Sequence, residues 1–154
     1  MCWNTGGKEG FLISRFDLHS SLGFLLINTA FQAKQNLTKQ FQQEGFDTTI
    51  DQFVVMGALI GKNGITQKQI CQICCKNDSN LARILNGMES KELIHRQKGE
   101  DARSRNVFLT DKGQALYVAL LPMAEQYMNQ VLGDIQKEDR EALAKVLLQI
   151  REKL

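Results

Sequence analysis

The fold is decided by the stretch from Ile65 to Thr110, which reads ITQKQICQICCKNDSNLARILNGMESKELIHRQKGEDARSRNVFLT. In its first half, apolar residues recur every three or four positions, as they do in helices; these are Ile70, Ile73, Leu81, Leu85, Met88 and Leu93. Thr66 followed by Gln69 forms a capping box, which predicts a helix start at that point. A polar turn follows, in which Asp78 or Ser79 is expected to cap the second helix.

After Leu93 the spacing changes to the alternation that is typical of a β-strand. Val107 and Leu109 alternate with polar or aromatic neighbours, and residues 95–98 are the expected partner strand. A polar connection over residues 99–104 joins the two strands and contains a glycine at its start. Two helices, a short turn and a charged hairpin together predict a winged helix-turn-helix.

Charge is concentrated in the same segment. From Lys62 to Arg105 there are nine positive and five negative residues, a net charge of +4, whereas the whole chain carries +2. The excess therefore lies where a phosphate backbone would be bound. An excess of this size is also typical of a solvated basic face, so charge alone leaves both interpretations open.

The order and spacing of these motifs resemble the MarR-type transcriptional regulators. That family's wing consists of a D-x-R motif, a short strand and an L-T-x-x-G motif that opens a helix. This chain is similar, with Asp101-Ala102-Arg103 followed by VFLTDKG at 107–113. Residues 79–94 resemble its recognition helix, and TIDQF at 49–53 matches as well. The resemblance implies a mainly α fold with a small β-hairpin wing. It implies one domain over 1–154, with dimerisation helices at 11–45 and 111–154 and a winged helix-turn-helix at 47–110.

The flanking segments carry more apolar surface than one chain needs. Between about residues 20 and 41, two apolar stripes follow one predicted helix; they contain Leu22, Leu26, Ala30, Ala33, Leu37 and Phe41, and Phe24, Ile27 and Phe31. Gly45 is expected to end this helix, and Pro122 to kink the helix that Thr110 caps. Two apolar faces need two partners to cover them. Either a second subunit covers one face, or the helix is buried centrally within a monomer. The resemblance favours a homodimer on a palindromic operator, with half-sites ~34 Å apart.

Candidate DNA contacts are Lys68, Lys76, Asn77, Ser79, Asn80, Arg83, Asp101, Arg103 and Arg105. The lysines suit phosphates, whereas asparagine can pair with adenine and arginine with guanine. The resemblance implies that Arg103 enters the minor groove and that Asp101 holds its guanidinium. The alternatives are a solvated surface residue for Arg83 and an exposed ion pair for Asp101 and Arg103.

Other features limit the choice of function. No apolar run reaches the ~18 residues of a membrane span, and the N-terminus does not resemble a signal peptide, so a cytoplasmic protein is expected. No nucleophile triad or phosphate loop is present, so neither an enzyme nor a cofactor is predicted. Three cysteines cluster at Cys71, Cys74 and Cys75. A single C-x-x-C predicts no zinc site, which leaves structural thiols or a redox sensor.

The resemblance also implies a small aromatic or lipophilic effector that binds between the dimer helices and the winged module. Candidate lining residues are His19, Phe24, Phe46, Phe53, Met56 and Tyr117, although the apolar ones could equally belong to the core. We therefore expect a dimeric regulator that reads double-stranded DNA, as a repressor that a ligand releases. The alternatives are a thiol-based redox regulator and a winged-helix protein-interaction module without DNA binding.

Overall fold

The computed structural model describes residues 21–99 and 105–153. Its helices are α1 (Leu22–Gln43), α2 (Ile50–Leu59), α3 (Gln67–Cys74), α4 (Asp78–Ser90), α5 (Asp111–Leu132) and α6 (Lys137–Arg151). Its strands are β1 (Ile65–Thr66), β2 (Ile94–Lys98) and β3 (Arg105–Leu109). The fold is thus mainly helical with a small sheet, as the sequence predicts. None of the helices in this part of the chain is long and apolar enough to cross a membrane.

Two capping boxes start α2 and α3 as predicted. The backbone N–H of Gln52 donates to Thr49 Oγ1 at 3.3 Å, and the backbone N–H of Thr49 donates to Gln52 Oε1 at 3.2 Å. Thr66 and Gln69 make the same reciprocal pair at the start of α3. Each box satisfies two N–H groups that a helix end leaves without a partner.

The cap of α4 lies one residue earlier than the sequence suggested. Asn77 has an extended backbone, and its Oδ1 accepts a hydrogen bond from the N–H of Asn80 at 2.8 Å. The prediction of Asp78 or Ser79 as the cap is wrong, because Asp78 is already the first helical residue. Its carboxylate instead lies in the first turn, where the helix dipole favours negative charge.

The wing is a three-stranded antiparallel sheet in the order β1-β3-β2. The predicted hairpin is confirmed, with Ile94 opposite Leu109 and Lys98 opposite Arg105. Strand β1 pairs its two residues with Val107 and Asn106 and was not predicted, since two residues are too few to show a period. The side chain of Asn63 supports this edge by accepting from the Leu109 N–H at 2.6 Å.

The core lies between the C-terminal half of α1, the helix-turn-helix and α5, whose buried residues extend to Tyr127. Its fully buried side chains include Phe41, Val55, Met56, Leu59, Ile70, Leu81, Leu85, Met88, Ile94, Val107 and Leu120. The apolar spacing predicted most of these positions. Ile73 is an exception, because 49% of it is exposed on the outer side of α3.

The end of α1 follows its sequence signal. Gly45 follows α1 with a φ of +84°, the left-handed conformation that glycine adopts without strain. Pro122 lies inside α5, and the helix continues on both sides of it.

The L-T-x-x-G motif joins β3 to α5. Thr110 Oγ1 accepts from the Gly113 N–H at 3.0 Å and lies within donating distance of the carbonyl oxygens of Glu92 and Leu93. A Cβ on Gly113 would lie 2.2 Å from the carbonyl oxygen of Leu93. This glycine is therefore required because the start of α5 packs directly on the backbone that precedes β2.

We predict that Gly113→Ala lowers the free energy of unfolding by about 2–4 kcal/mol, since backbone must move to admit the methyl group. Gly87→Ala is the matched control. Its Cβ would meet only Gln52 Nε2 at 3.5 Å, an ordinary contact, and alanine is the better helix former by roughly 0.5–1 kcal/mol. Urea unfolding at one protein concentration measures both variants. Equal stabilities for the two variants would contradict the close approach at Gly113.

Candidate nucleic-acid interface

Helix α4 presents a polar outer face above a buried apolar one. Leu81, Leu85 and Met88 point into the core. The predicted contacts Asn77, Ser79 and Arg83 are exposed, and Asn80 is half-buried. Arg83 Nη2 donates to Asn80 Oδ1 at 3.2 Å, one turn back along the helix. The structure therefore brings these four residues together on the N-terminal half of α4.

The two lysines that were expected at phosphates differ in their surroundings. Lys68 lies exposed in the first turn of α3, free to contact a phosphate. Lys76 is in a different environment. Its Nζ lies 2.7 Å from Asp51 Oδ1, and only 14% of its side chain is exposed. The ammonium group is already paired with a carboxylate that also binds Lys34, and the role of Lys76 as a phosphate contact stays a prediction.

Asp51 joins three elements through one carboxylate. Its Oδ1 binds Lys76, in the turn before α4, and its Oδ2 binds Lys34 of α1 at 2.7 Å. Burial raises the pKa of the Asp51 carboxyl, but the hydrogen bonds from the two lysines and their charges outweigh it, and the pKa lies below its ordinary value. Asp51 is therefore ionised and connects the long N-terminal helix to the start of the recognition helix.

The other end of α4 is also held by an ion pair. Lys91, which follows the helix, donates from Nζ to the carbonyl oxygen of Asp47 at 2.5 Å and lies 2.7 Å from its Oδ2. The segment from Asp47 to Asp51 thus contacts the chain just before and just after α4. Both contacts lie at helix ends, where they limit how α4 can tilt.

Arg96 joins the wing to α4, a contact that the sequence analysis did not predict. It lies in the middle of β2 with 11% of its side chain exposed. Its Nη2 donates to Asn86 Oδ1 at 2.5 Å and lies 3.1 Å from Glu89 Oε2, both on α4. Arg96 lies on its strand between His95 and Gln97, which are both exposed. The sequence analysis counted Arg96 only as a positive charge.

The loop end of the wing carries positive charge. Lys98 and Arg105 are directly opposite each other where the two strands meet the connection between them, and both are exposed. Asp101 and Arg103, the predicted tip, lie outside the described residues. Among the described residues, Arg83 on α4 and this pair on the wing are exposed cations.

The cysteine cluster lies on the C-terminal half of α3 and at the residue that ends it. Burial raises the pKa of the Cys71 thiol, and so does Asp78, whose Oδ1 accepts from Cys71 Sγ at 3.3 Å. Burial also raises the pKa of Cys74, although nearby Lys76 opposes it. Cys75 is exposed and ends α3 with a left-handed backbone. Raised pKa values keep Cys71 and Cys74 as thiols at neutral pH, which disfavours redox sensing by this pair.

No metal site emerges from the part of the chain that the structure describes: in residues 21–99 and 105–153, no group of three or more histidine, cysteine or acidic side chains could hold an ion.

The candidate effector residues do not form one pocket. Phe53 stacks on Tyr117 with ring centroids 5.0 Å apart, and both line an open cleft of about 450 Å³ beside α5. Met56 is fully buried in the core and does not line this cleft, and its part in a ligand pocket stays a prediction. Phe46 packs half-buried against the same core, and Phe24 lies half-buried on α1. His19 lies outside the described residues.

Comparison with known proteins places this geometry in a family. A scan against protein-family models gives no match. The transcriptional regulator HosA of Escherichia coli O157:H7 is 31% identical over 127 residues, which cover 79% of this chain and 94% of HosA. A MarR-family regulator from Silicibacter pomeroyi has the same fold, with a TM-score of 0.73 at 22% identity over 92% of this chain and 94% of that one. The chain belongs to the MarR family.

Further similarities agree with this MarR-family assignment. The HTH-type transcriptional repressor NicR of Pseudomonas putida is 27% identical over 135 residues, which cover 86% of this chain and 83% of NicR. The DNA complex of Staphylococcus aureus MepR has a TM-score of 0.77 at 22% identity, covering 86% of this chain and 97% of MepR. Bordetella bronchiseptica BpsR, whose DNA binding is regulated by 6-hydroxynicotinic acid, has a TM-score of 0.75 at 22% identity, over 89% and 98% of the two chains. This protein is thus a DNA-binding transcriptional regulator with a winged helix-turn-helix.

We predict that Asp51→Asn lowers the free energy of unfolding by about 1–2 kcal/mol near pH 7, because two lysines lose their shared anion. The lowered pKa sets the pH dependence. Stability from this carboxylate is present above its ordinary pKa and is lost as the pH falls through the lower value of the folded state. The difference between wild type and variant should therefore shrink in strongly acidic buffer, as followed by urea unfolding.

Asp134→Asn is the control for this prediction, since Asp134 is exposed in the turn between α5 and α6. Its stability should match wild type within about 0.5 kcal/mol at every pH. A deficit of Asp51→Asn that stays the same in strong acid would refute the ionic role of Asp51.

Proposed function

We propose that this MarR-family protein is a homodimeric repressor that binds a palindromic double-stranded operator through α4 and its wing. The observation that carries the proposal is the anchorage of α4. Asp51, Asp47 and Arg96 hold both ends of the helix and join it to the wing strand. A helix held in this way keeps its polar face at a constant position relative to the wing, which suits simultaneous contacts to two DNA grooves.

The contacts would divide between the two grooves. Asn77, Ser79 and Arg83 would enter the major groove from the N-terminal half of α4. Arg103 at the wing tip would enter the minor groove, with Asp101 orienting its guanidinium. Lys68 and Arg105 would bind phosphates, which sets the register on the duplex without reading sequence.

A second copy of the chain is the partner that the exposed apolar surface supports. Exposed apolar side chains occur along α1, α5 and α6; they include Leu22, Leu25, Leu26, Ile27, Phe31, Val118, Leu121, Met128, Val131, Leu143, Val146, Leu147 and Leu148. Helix α6, all of which is described, buries none of its side chains. A face of this kind is unfavourable in water and is typical of an interface. Two copies related by a two-fold axis would present two reading heads to a palindrome.

Light scattering tests the dimer. We expect a mass of about twice the 17.4 kDa of one chain. Ile27→Glu should shift the protein toward the monomer, because it introduces charge at a position that is 75% exposed on α1. A monomeric wild type at micromolar concentration would contradict the proposal that a two-fold symmetric dimer binds both half-sites.

A small aromatic or lipophilic effector would release the DNA. The stacked rings of Phe53 and Tyr117 offer an aromatic surface where α2 meets α5, between the winged module and the flanking helices. A ligand there would act by favouring a head spacing that no longer matches the half-sites. Support also comes from BpsR, whose DNA binding responds to a small aromatic acid. Adding a panel of aromatic acids to the protein–DNA complex tests this step.

The relative NicR is a transcriptional repressor, which supports repression by this protein. A protein that binds an operator would act in the cytoplasm.

A winged-helix module that binds other proteins instead of DNA is the alternative. Exposed Arg83 and Arg105 favour DNA, because a protein-binding module would not need cations on the outer faces of both α4 and the wing.

We predict that the wild type binds the DNA that flanks its own gene with strong salt dependence. Arg83→Ala should weaken binding by about 1–3 kcal/mol and relax selectivity at one base pair. Arg103→Ala should weaken binding and lower the salt slope by about one. Fluorescence anisotropy at two salt concentrations measures all three proteins.

Lys153→Ala is the control, since it removes an exposed positive charge far along the chain from α4 and the wing. Its affinity should stay within about twofold of wild type. No binding by the wild type, either to the flanking DNA or to a pool of random duplexes, would favour the protein-interaction module instead.

A further inference from the structure

Three asparagines of the recognition segment have their side-chain oxygens occupied from within the protein. Asn77 Oδ1 accepts from the N–H of Asn80 at 2.8 Å. Asn80 Oδ1 accepts from Arg83 Nη2 at 3.2 Å. Asn86 Oδ1 accepts from Arg96 Nη2 at 2.5 Å. In each case the amide oxygen faces a protein donor.

The chemistry of the partners determines the orientation of these amides. A backbone N–H and a guanidinium are donors only, so they cannot bind the NH₂ side of an asparagine. Turning any of the three amides around would place two donors against each other. The three amide oxygens therefore face donors of the protein, and the amide N–H groups lie on the other edge of each side chain.

Asn86 is the most firmly oriented of the three. Only 11% of the side chain of its partner Arg96 is exposed, and Glu89 Oε2 lies 3.1 Å from the same Nη2. Asn86 itself is exposed. It lies three residues beyond Arg83, as Arg83 lies three beyond Asn80, so the three share one side of α4. Asn86 thus extends the reading face toward the wing, although the sequence analysis did not assign it to the interface.

An oriented amide reads fewer bases than a free one. Pairing with adenine needs both the oxygen and the nitrogen of the amide to face the base, to accept from N6 and donate to N7. The bond from Arg96 places Asn86 Oδ1 on the side of the amide that faces Arg96, so the edge left for a base is the N–H edge. Its N–H groups match acceptors, and in the major groove these are N7 of either purine, O6 of guanine and O4 of thymine, whereas cytosine presents only its N4 donor.

We propose that Asn86, oriented by Arg96, is a specificity-determining residue that donates from Nδ2 to a base with a major-groove acceptor, and so excludes cytosine, in each half-site. The inference rests on the proposed DNA-binding function and adds the kind of base edge that is read. It also changes the expectation for Asn77 and Asn80, whose oxygens accept from the protein in the same way. These residues should favour a single donated hydrogen bond to an acceptor over the two-bond pair with adenine.

Asn86→Asp tests the proposal because it exchanges the donor for an acceptor while it keeps, and strengthens, the bond from Arg96. Selection from a pool of random duplexes should exclude cytosine at one position for the wild type. For the variant, the same position should change to cytosine, whose N4 donates and which offers the carboxylate no opposing acceptor. We expect a change in relative affinity of roughly tenfold. Retention of the wild-type preference at every position would overturn the proposal.

Asn36→Asp is the matched control, since it adds the same negative charge at an exposed position of α1. It should weaken binding to all duplexes equally, if at all, and leave the selected sequence unchanged. A preference that changes in this control as in Asn86→Asp would also overturn the proposal, because charge alone would explain it.

A second measurement does not depend on the folding of the charged variant. The wild type is tested on operators in which one purine is replaced by its 7-deaza analogue, which removes N7, or one thymine by 5-methyl-2-pyrimidinone, which removes O4. One replacement should weaken binding roughly tenfold for the wild type and have no effect for Asn86→Ala. Equal losses in both proteins at every position would refute the role of Asn86. A wild-type selection that enriches no sequence would instead refute the proposed function itself.

Discussion

The carboxylate of Asp51 is the contact on which the arrangement of the reading surface depends. One oxygen binds Lys34 of the long N-terminal helix, and the other binds Lys76 in the turn that precedes the recognition helix, each at 2.7 Å. Two cations outweigh the burial of this group, so it remains charged. Any rotation of the recognition helix away from α1 would separate these charges in a partly buried place, where water compensates poorly. The helix-turn-helix and the long helix α1 are therefore mechanically connected at this residue.

The remaining anchors give the recognition helix a definite chemical polarity. Arg96 reaches from the wing strand to Asn86 and Glu89, and Lys91 closes the far end on Asp47. These contacts occupy acceptor oxygens, and the N–H groups of Asn86 lie on the other edge of its amide. In a MarR-family regulator, the surface that meets DNA is thus shaped by bonds made inside the protein. The same contacts that stabilise the helix restrict which base edges it can match.

Local signals predicted the local structure well. Both capping boxes, the glycine after α1 and the β2–β3 hairpin need only residues close in sequence, because each is stabilised by contacts over a few positions. The cap of α4 was misplaced by one residue, since Asn77, Asp78 and Ser79 are all good caps and the sequence does not distinguish them. Strand β1 and the internal pairing of Lys76 were missed. Both depend on partners more than 20 residues away, Val107 and Asp51.

By itself, the sequence determined the helix-turn-helix with its wing, the family resemblance and the set of polar residues on the recognition helix. These follow from periodicity, caps and motif order, which are properties of neighbouring residues. Only the tertiary structure decided which cations are paired within the protein, which way the asparagine amides face and that Met56 belongs to the core. Those outcomes depend on which donor meets which acceptor across different elements, and spacing along the chain carries no information about such distant pairs.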